Sequence, residues 1–99
     1  MTRAEALQRL RSCEGDLRQL GIERLSLFGS TARGEERPGS DVDVAIELKR
    51  DVHIGAFAFI ALERRVAAIL GERVDLVAEP HDEAPRLQAE IDRDRVHVF

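Results

Sequence analysis

"LFGSTARGEERPGSDVDVAIEL" spans residues 27–48, and its reading decides the fold. From Asp41 to Leu48 it alternates strictly. Val42, Val44, Ile46 and Leu48 face one way, and Asp41, Asp43, Ala45 and Glu47 face the other. That period of two marks a half-buried β-strand. Two carboxylates, one residue apart, stand at its head, where burial is costly unless something positive lies between them. The stretch before it, "GSTARGEERPGS" (29–40), is turn chemistry, with Ser30 placed to cap a short helix over Thr31–Gly34.

Working outward, "ERLSLF" (23–28) reads as the preceding strand. Leu7, Leu10, Cys13, Leu17 and Leu20 recur at helical spacing, which predicts one amphipathic helix over residues 3–20. Gly15 weakens its middle, Gly21 ends it, and Cys13 is expected as a buried structural thiol. A further helix is predicted over about Ile54–Leu70, with Asp51 near its start and Gly71 at its end. "RVDLVAE" (73–79) is a strand, "RLQAEI" (86–91) a short helix, and "RVHVF" (95–99) a last strand. The order implies an α/β (α+β) architecture over residues 1–99, a single small domain. Helices pack on one face of a mixed β-sheet, and the other face carries the carboxylates.

Composition narrows the function classes. The chain has 99 residues, 43% hydrophobic and 34% charged, which describes a globular rather than a disordered protein. A net charge of −4 without a basic block argues against nucleic acid as partner. The single cysteine excludes an internal disulfide, and no Cys/His cluster has zinc spacing. The N-terminus is too charged for a signal peptide, and nowhere do 18 apolar residues run together. No membrane association is expected, and the chain reads as cytoplasmic.

Strand geometry sets Asp41 and Asp43 about 6.6–6.8 Å apart on one face. They are hard oxygen ligands that suit Mg²⁺ or Mn²⁺ rather than zinc. In "RVDLV", Asp75 lies opposite Val74 and Leu76. If that strand adjoins the 41–48 strand, three carboxylates converge, enough for two ions about 3.5–4 Å apart and in-line phosphoryl or nucleotidyl transfer. Gly29 allows close backbone approach, Ser30 and neighbouring N–H groups can donate to phosphate, and Arg33 can grip a polyphosphate. Together these describe a nucleoside triphosphate site. Taken singly, each piece reads as a turn, a strand entrance or an exposed polar residue. Gly-Ser followed ten residues later by Asp-x-Asp arises by chance in on the order of one short chain in a thousand. P-loop and EF-hand motifs are absent. Unlike the Asp-x-Asp of haloacid dehalogenase-type phosphatases, this pair opens a strand instead of ending one. His53, His81 and His97 share no motif.

The run "GSTARG…SDVDVAIEL", with the later "VDLV", resembles the minimal nucleotidyltransferases of the DNA polymerase beta superfamily, over nearly the whole chain. The resemblance implies a polymerase beta-like fold in which Gly29 and Ser30 bind the triphosphate of ATP, assisted by Arg33. Ser40, which opens the matched "SDVDVAIEL", joins that nucleotide-binding set. Asp41 and Asp43 would hold two Mg²⁺ ions, and Asp75 would ligate the ion nearer the acceptor hydroxyl and help deprotonate it. AMP would pass to the acceptor and pyrophosphate would leave. Thr31 stands where relatives often carry Arg. Many such small proteins are antitoxins whose partner is a HEPN-domain toxin, silenced by adenylylation of a tyrosine. This chain has no Tyr, so modification would occur in trans. The alternatives are an antitoxin acting by steric contact alone, and nucleotide transfer to an RNA 3′ end, which the net charge disfavours.

Two further expectations concern apolar residues. The four Phe lie outside the motif, leaving no evident platform for the base. "IGAFAFIAL" (54–62) carries no charge, and the favoured reading is a core helix hidden beneath the N-terminal helix, against the alternative of a partner surface.

Overall fold

The computed structural model describes residues 1–99. Thr2 opens helix α1 (Arg3–Ser12) through a reciprocal capping box with Glu5. The single helix expected over 3–20 is two: α1 stops at Cys13, and α2 (Glu14–Gln19) follows. The Ser12 hydroxyl bonds back to the Gln8 carbonyl at 2.8 Å, a habit that bends helices, and Gly15 offers no side chain to stiffen the restart. Cys13 sits at the junction only partly buried, not in the core interior.

Strand β1 (Ile22–Phe28) runs directly into helix α3 (Gly29–Arg33). Strand β2 (Val42–Leu48) follows, then helix α4 (Ala56–Leu70), strand β3 (Val74–Ala78), helix α5 (Pro85–Asp94) and strand β4 (Val96–His97). The sheet order is β3-β2-β1-β4. β1 is antiparallel to β2 and β4, while β2 and β3 are parallel, joined by α4 as parallel crossovers require. This is the mixed sheet read from the sequence.

One sheet face carries the main core. Leu25, Leu27, Val42, Val44, Ile46 and Leu76 meet Leu10, Leu17, Leu62, Val66 and Leu70 from α1, α2 and α4 within a cluster of 15 buried residues. Each such side chain contributes about 1.5–3 kcal/mol on burial. The opposite face is not left bare. Helix α5 crosses it, setting Ile91 and Leu87 against Phe28, Ala45 and Val77. Three helices therefore occupy the expected face and the fifth lies on the carboxylate side.

Helix α4 departs further from expectation. Its inward stripe is Leu62, Val66 and Leu70, whereas Ala56, Phe57, Ala58, Ile60 and Ala61 are exposed, Phe57 to 90%. The uncharged stretch is not a hidden core helix. α1 packs against α4, while the outer face of α4 stays exposed from Ala56 through Arg64, Arg65 and Ala68.

Candidate active site

The site begins where β1 ends. Phe28 pairs with Asp43 across the antiparallel ladder, so the next residue, Gly29, stands beside the Asp43 side chain. Gly29 has φ +71°, and a Cβ there would lie 2.1 Å from Asp43 Oδ2. Only glycine lets the head of α3 and this carboxylate share the space. Helix α3 starts at Gly29 with Phe28 as its N-cap, so Ser30 lies inside the helix and does not cap it. Thr31 is buried and turned away from solvent.

On the other side of β2, the parallel ladder pairs Asp43 with Asp75. The strand adjacency that the triad required is present. Asp41 behaves differently. It precedes the strand, lies exposed, and pairs with Arg73 at 3.4 Å. No three acidic or imidazole groups close on a common point, so the expected convergence of Asp41, Asp43 and Asp75 is incomplete. Three like charges repel without a counter-ion, and Arg73 offers the outermost one a cation.

Asp43 feels the crowding most. Burial pushes its pKa up to about 6, and the charges of Asp75, Asp41 and Glu90 add to the rise, while Arg33 opposes it. Glu90 is a member of the acidic set that the sequence reading missed. It neighbours Ile91 on α5, and only a helix laid across the carboxylate face would have pointed to it.

Arg33 sits close by but is committed. Its guanidinium donates to Asp94 Oδ2 at 2.6 Å and to Glu35 Oε2 at 3.4 Å, tying α3 to the end of α5. Ser40 is engaged as well: its hydroxyl accepts the Arg37 N–H at 3.2 Å and closes the 37–40 turn. Arg95, the C-cap of α5, anchors that same end by donating to Glu79 and, at 3.1 Å, to the Ser26 hydroxyl. Those hydrogen bonds hold Glu79 below the usual carboxylate range.

Asp75 opens onto a cavity of about 640 Å³ that runs along the outer edge of β3 to Pro80 and His81. Phe59 of α4 lines it. The fold thus brings an aromatic ring to the site from outside the motif. The donor set around Asp43 is all oxygen, crowded and short of positive charge, which fits a hard divalent cation.

Known proteins bear on this arrangement. Residues 10–97 match the model of the nucleotidyltransferase domain family. The chain belongs to that family and is a nucleotidyltransferase with a polymerase beta-like fold. Over 77 residues it is 30% identical to MJ1379 of Methanocaldococcus jannaschii, provisionally named a protein adenylyltransferase, covering 78% of this chain and 77% of that one. A solved structure provisionally described as a minimal nucleotidyltransferase superposes with a TM-score of 0.77 at 29% identity, covering 97% of this chain and 95% of that one. A complex described as a tri-AMPylated Shewanella oneidensis HEPN toxin with its MNT antitoxin superposes at 0.65, with 20% identity and coverage of 94% and 71%. That last likeness concerns the fold.

Proposed function

We propose that this chain moves AMP from ATP to a tyrosine hydroxyl of a HEPN-domain toxin, and so acts as the antitoxin of the pair in the cytoplasm. One observation carries the reading: Asp43 and Asp75 stand in register on adjacent parallel strands, with Asp43 against the backbone of Gly29 at the head of α3. The adenylyltransferase name of the M. jannaschii relative and the AMPylated toxin in the structural neighbour support the choice of AMP and of a protein acceptor.

In this reading residues 1–99 work as one domain. Backbone N–H groups from Gly29 and Ser30, with the Ser30 hydroxyl, bind the triphosphate. Arg33 exchanges Asp94 for phosphate oxygen, and Ser40 keeps the Asp41 approach in shape. Asp41, Asp43 and Asp75 would hold Mg²⁺, two ions when ATP is bound, or Mn²⁺ in its place; bound metal supplies charge neutralisation at the reacting phosphate. Asp75 takes the proton of the acceptor hydroxyl as its oxygen bonds to the α-phosphorus. The α–β phosphoanhydride bond breaks, and pyrophosphate departs with the electron pair.

ATP labelled at the α-phosphate, incubated with the chain and a purified HEPN-domain partner, should mark the partner, with label on tyrosine. Unlabelled partner despite nucleotide binding would remove the proposal. The engagement of Asp41 by Arg73 and of Arg33 by Asp94 favours a second reading, neutralisation by contact alone. Toxin neutralisation that survives in the triple Asp41/Asp43/Asp75→Asn variant selects it.

A further inference from the structure

The open face of α4 is shaped to receive something. Ala58, Ala61 and Ala68 follow one another along the helix and, with Ile54 just before its start and Leu20 from the end of α2, floor a groove of about 580 Å³. Phe57, 90% exposed, and Ile60, 45% exposed, extend its apolar surface. From Ala58 to Ala68 this stripe runs roughly 15 Å at the helical rise, nearly three turns. Small side chains along it allow a second helix to approach closely. A large phenyl ring left in water costs free energy that a monomer has no reason to spend.

Charge identifies the occupant. Arg64 and Arg65 stand at the groove's edge, and neither has a carboxylate within ion-pair distance. The neighbouring Glu63 turns inward and accepts the Leu76 N–H at 3.3 Å. A second copy packed α4 against α4 would bring two more arginines, and the one acid of that helix, Glu63, is already turned inward. A foreign amphipathic helix with an apolar stripe and acidic flanks satisfies both the groove and its rim.

Position connects the groove to chemistry. Phe59, on the same helix, lines the cavity that opens at Asp75, so α4 is a wall common to both. A helix seated on α4 would lie about 10 Å from it, near enough to deliver an attached segment into the Asp75 cavity. Resting on the acceptor reading above, we infer that the exposed face of α4 docks an acidic amphipathic helix of the acceptor protein, holding that protein beside the site.

Two fluorescein-labelled synthetic helices of about 18 residues test this. Both carry the same Leu stripe; one has Glu flanks and the other Lys flanks. By anisotropy, the chain should bind the Glu peptide at least about tenfold more tightly, and Phe57→Asp should weaken that binding about tenfold. The Arg64→Glu/Arg65→Glu double variant should reverse the preference, with circular dichroism confirming that both variants fold. Equal affinity for the two peptides, or indifference to these substitutions, overturns the inference. So does a concentration-dependent dimer that Phe57→Asp abolishes, since the occupant would then be a second copy. Labelling of the HEPN-domain partner, measured in parallel, reports on the acceptor reading separately: it can succeed while the peptides fail, and the reverse.

Discussion

The two faces of the sheet are built from different materials. The core shared by one sheet face with α1, α2 and α4 holds 15 buried apolar residues. The core between the other face and α5 has only four, Phe28, Ala45, Val77 and Ile91 of α5 itself, and that layer is also held by ion pairs such as Arg33–Asp94 and Arg95–Glu79. Aliphatic packing tolerates no unpaired charge, so the acidic set can exist only on the thin side. On the proposed function, stability resides on one face and chemistry on the other. The largest expected effect tests this division directly. Asp43→Asn should lower AMP transfer by about 10³-fold, as loss of a charge-stabilising group in a reacting site does, without lowering the melting temperature. A variant retaining half its activity would remove Asp43 from the chemistry.

The converse substitution is next in size. Leu27→Ala, on the packed face, should cost about 3 kcal/mol in urea unfolding, because it empties a site with full burial. Transfer per folded molecule should be unchanged. A large fall in kcat in the folded fraction would mean that the faces are coupled more tightly than their separate cores suggest.

How much of this was readable beforehand follows from the same division. Alternation in "DVDVAIEL" predicted β2, and the apolar residues around Asp75 predicted β3, because sheet burial imposes a period of two on sequence. The adjacency of Asp43 and Asp75 then follows from the parallel crossover. What stayed hidden lacks a periodic signature. The break at Cys13 depends on a single hydroxyl turning back to Gln8. Arg33 and Ser40 carry the right chemistry, yet their hydrogen bonds to Asp94 and Arg37 are set by a helix crossing and a turn. Glu90 and Phe59 enter the site from helices whose sheet face or rotation no local pattern specifies. The exposure of Phe57 was hidden for the opposite reason: an uncharged helical run reads the same whether α1 or a foreign helix covers it.

The two ends of α3 sharpen the comparison at smaller scale. Gly29 and Gly34 both adopt positive φ, +71° and +74°, but a Cβ at Gly29 would strike Asp43, whereas one at Gly34 meets nothing within 4 Å. Gly34→Ala should therefore cost about 1 kcal/mol, the left-handed penalty alone, and leave transfer intact. Gly29→Ala should cost about 2 kcal/mol or more and lose nucleotide binding, measured by calorimetry with ATP and Mg²⁺. Equal behaviour of the two variants would detach Gly29 from the site.

The smallest effect is electrostatic, and it distinguishes the thin face from the packed one by pH alone. Asp43 titrates near 6 in the folded chain, against 3.8 when unperturbed. At this group the folded state then binds more protons than the unfolded state between those values, so the contribution of Asp43 to stability falls as pH rises from about 4 to about 6 and stays lowered above that. Asp43→Asn removes the charge and with it the loss. Solvent reaches this carboxylate, which reduces the effect, so without metal the variant should exceed the parent by about 1 kcal/mol at pH 8. The two should converge near pH 4. Adding Mg²⁺ at pH 8 should raise the parent's melting temperature and not the variant's, because the cation relieves the repulsion that Asn has already removed. A gap between parent and variant that does not widen from pH 4 to 6 would place the crowding of carboxylates somewhere other than at Asp43.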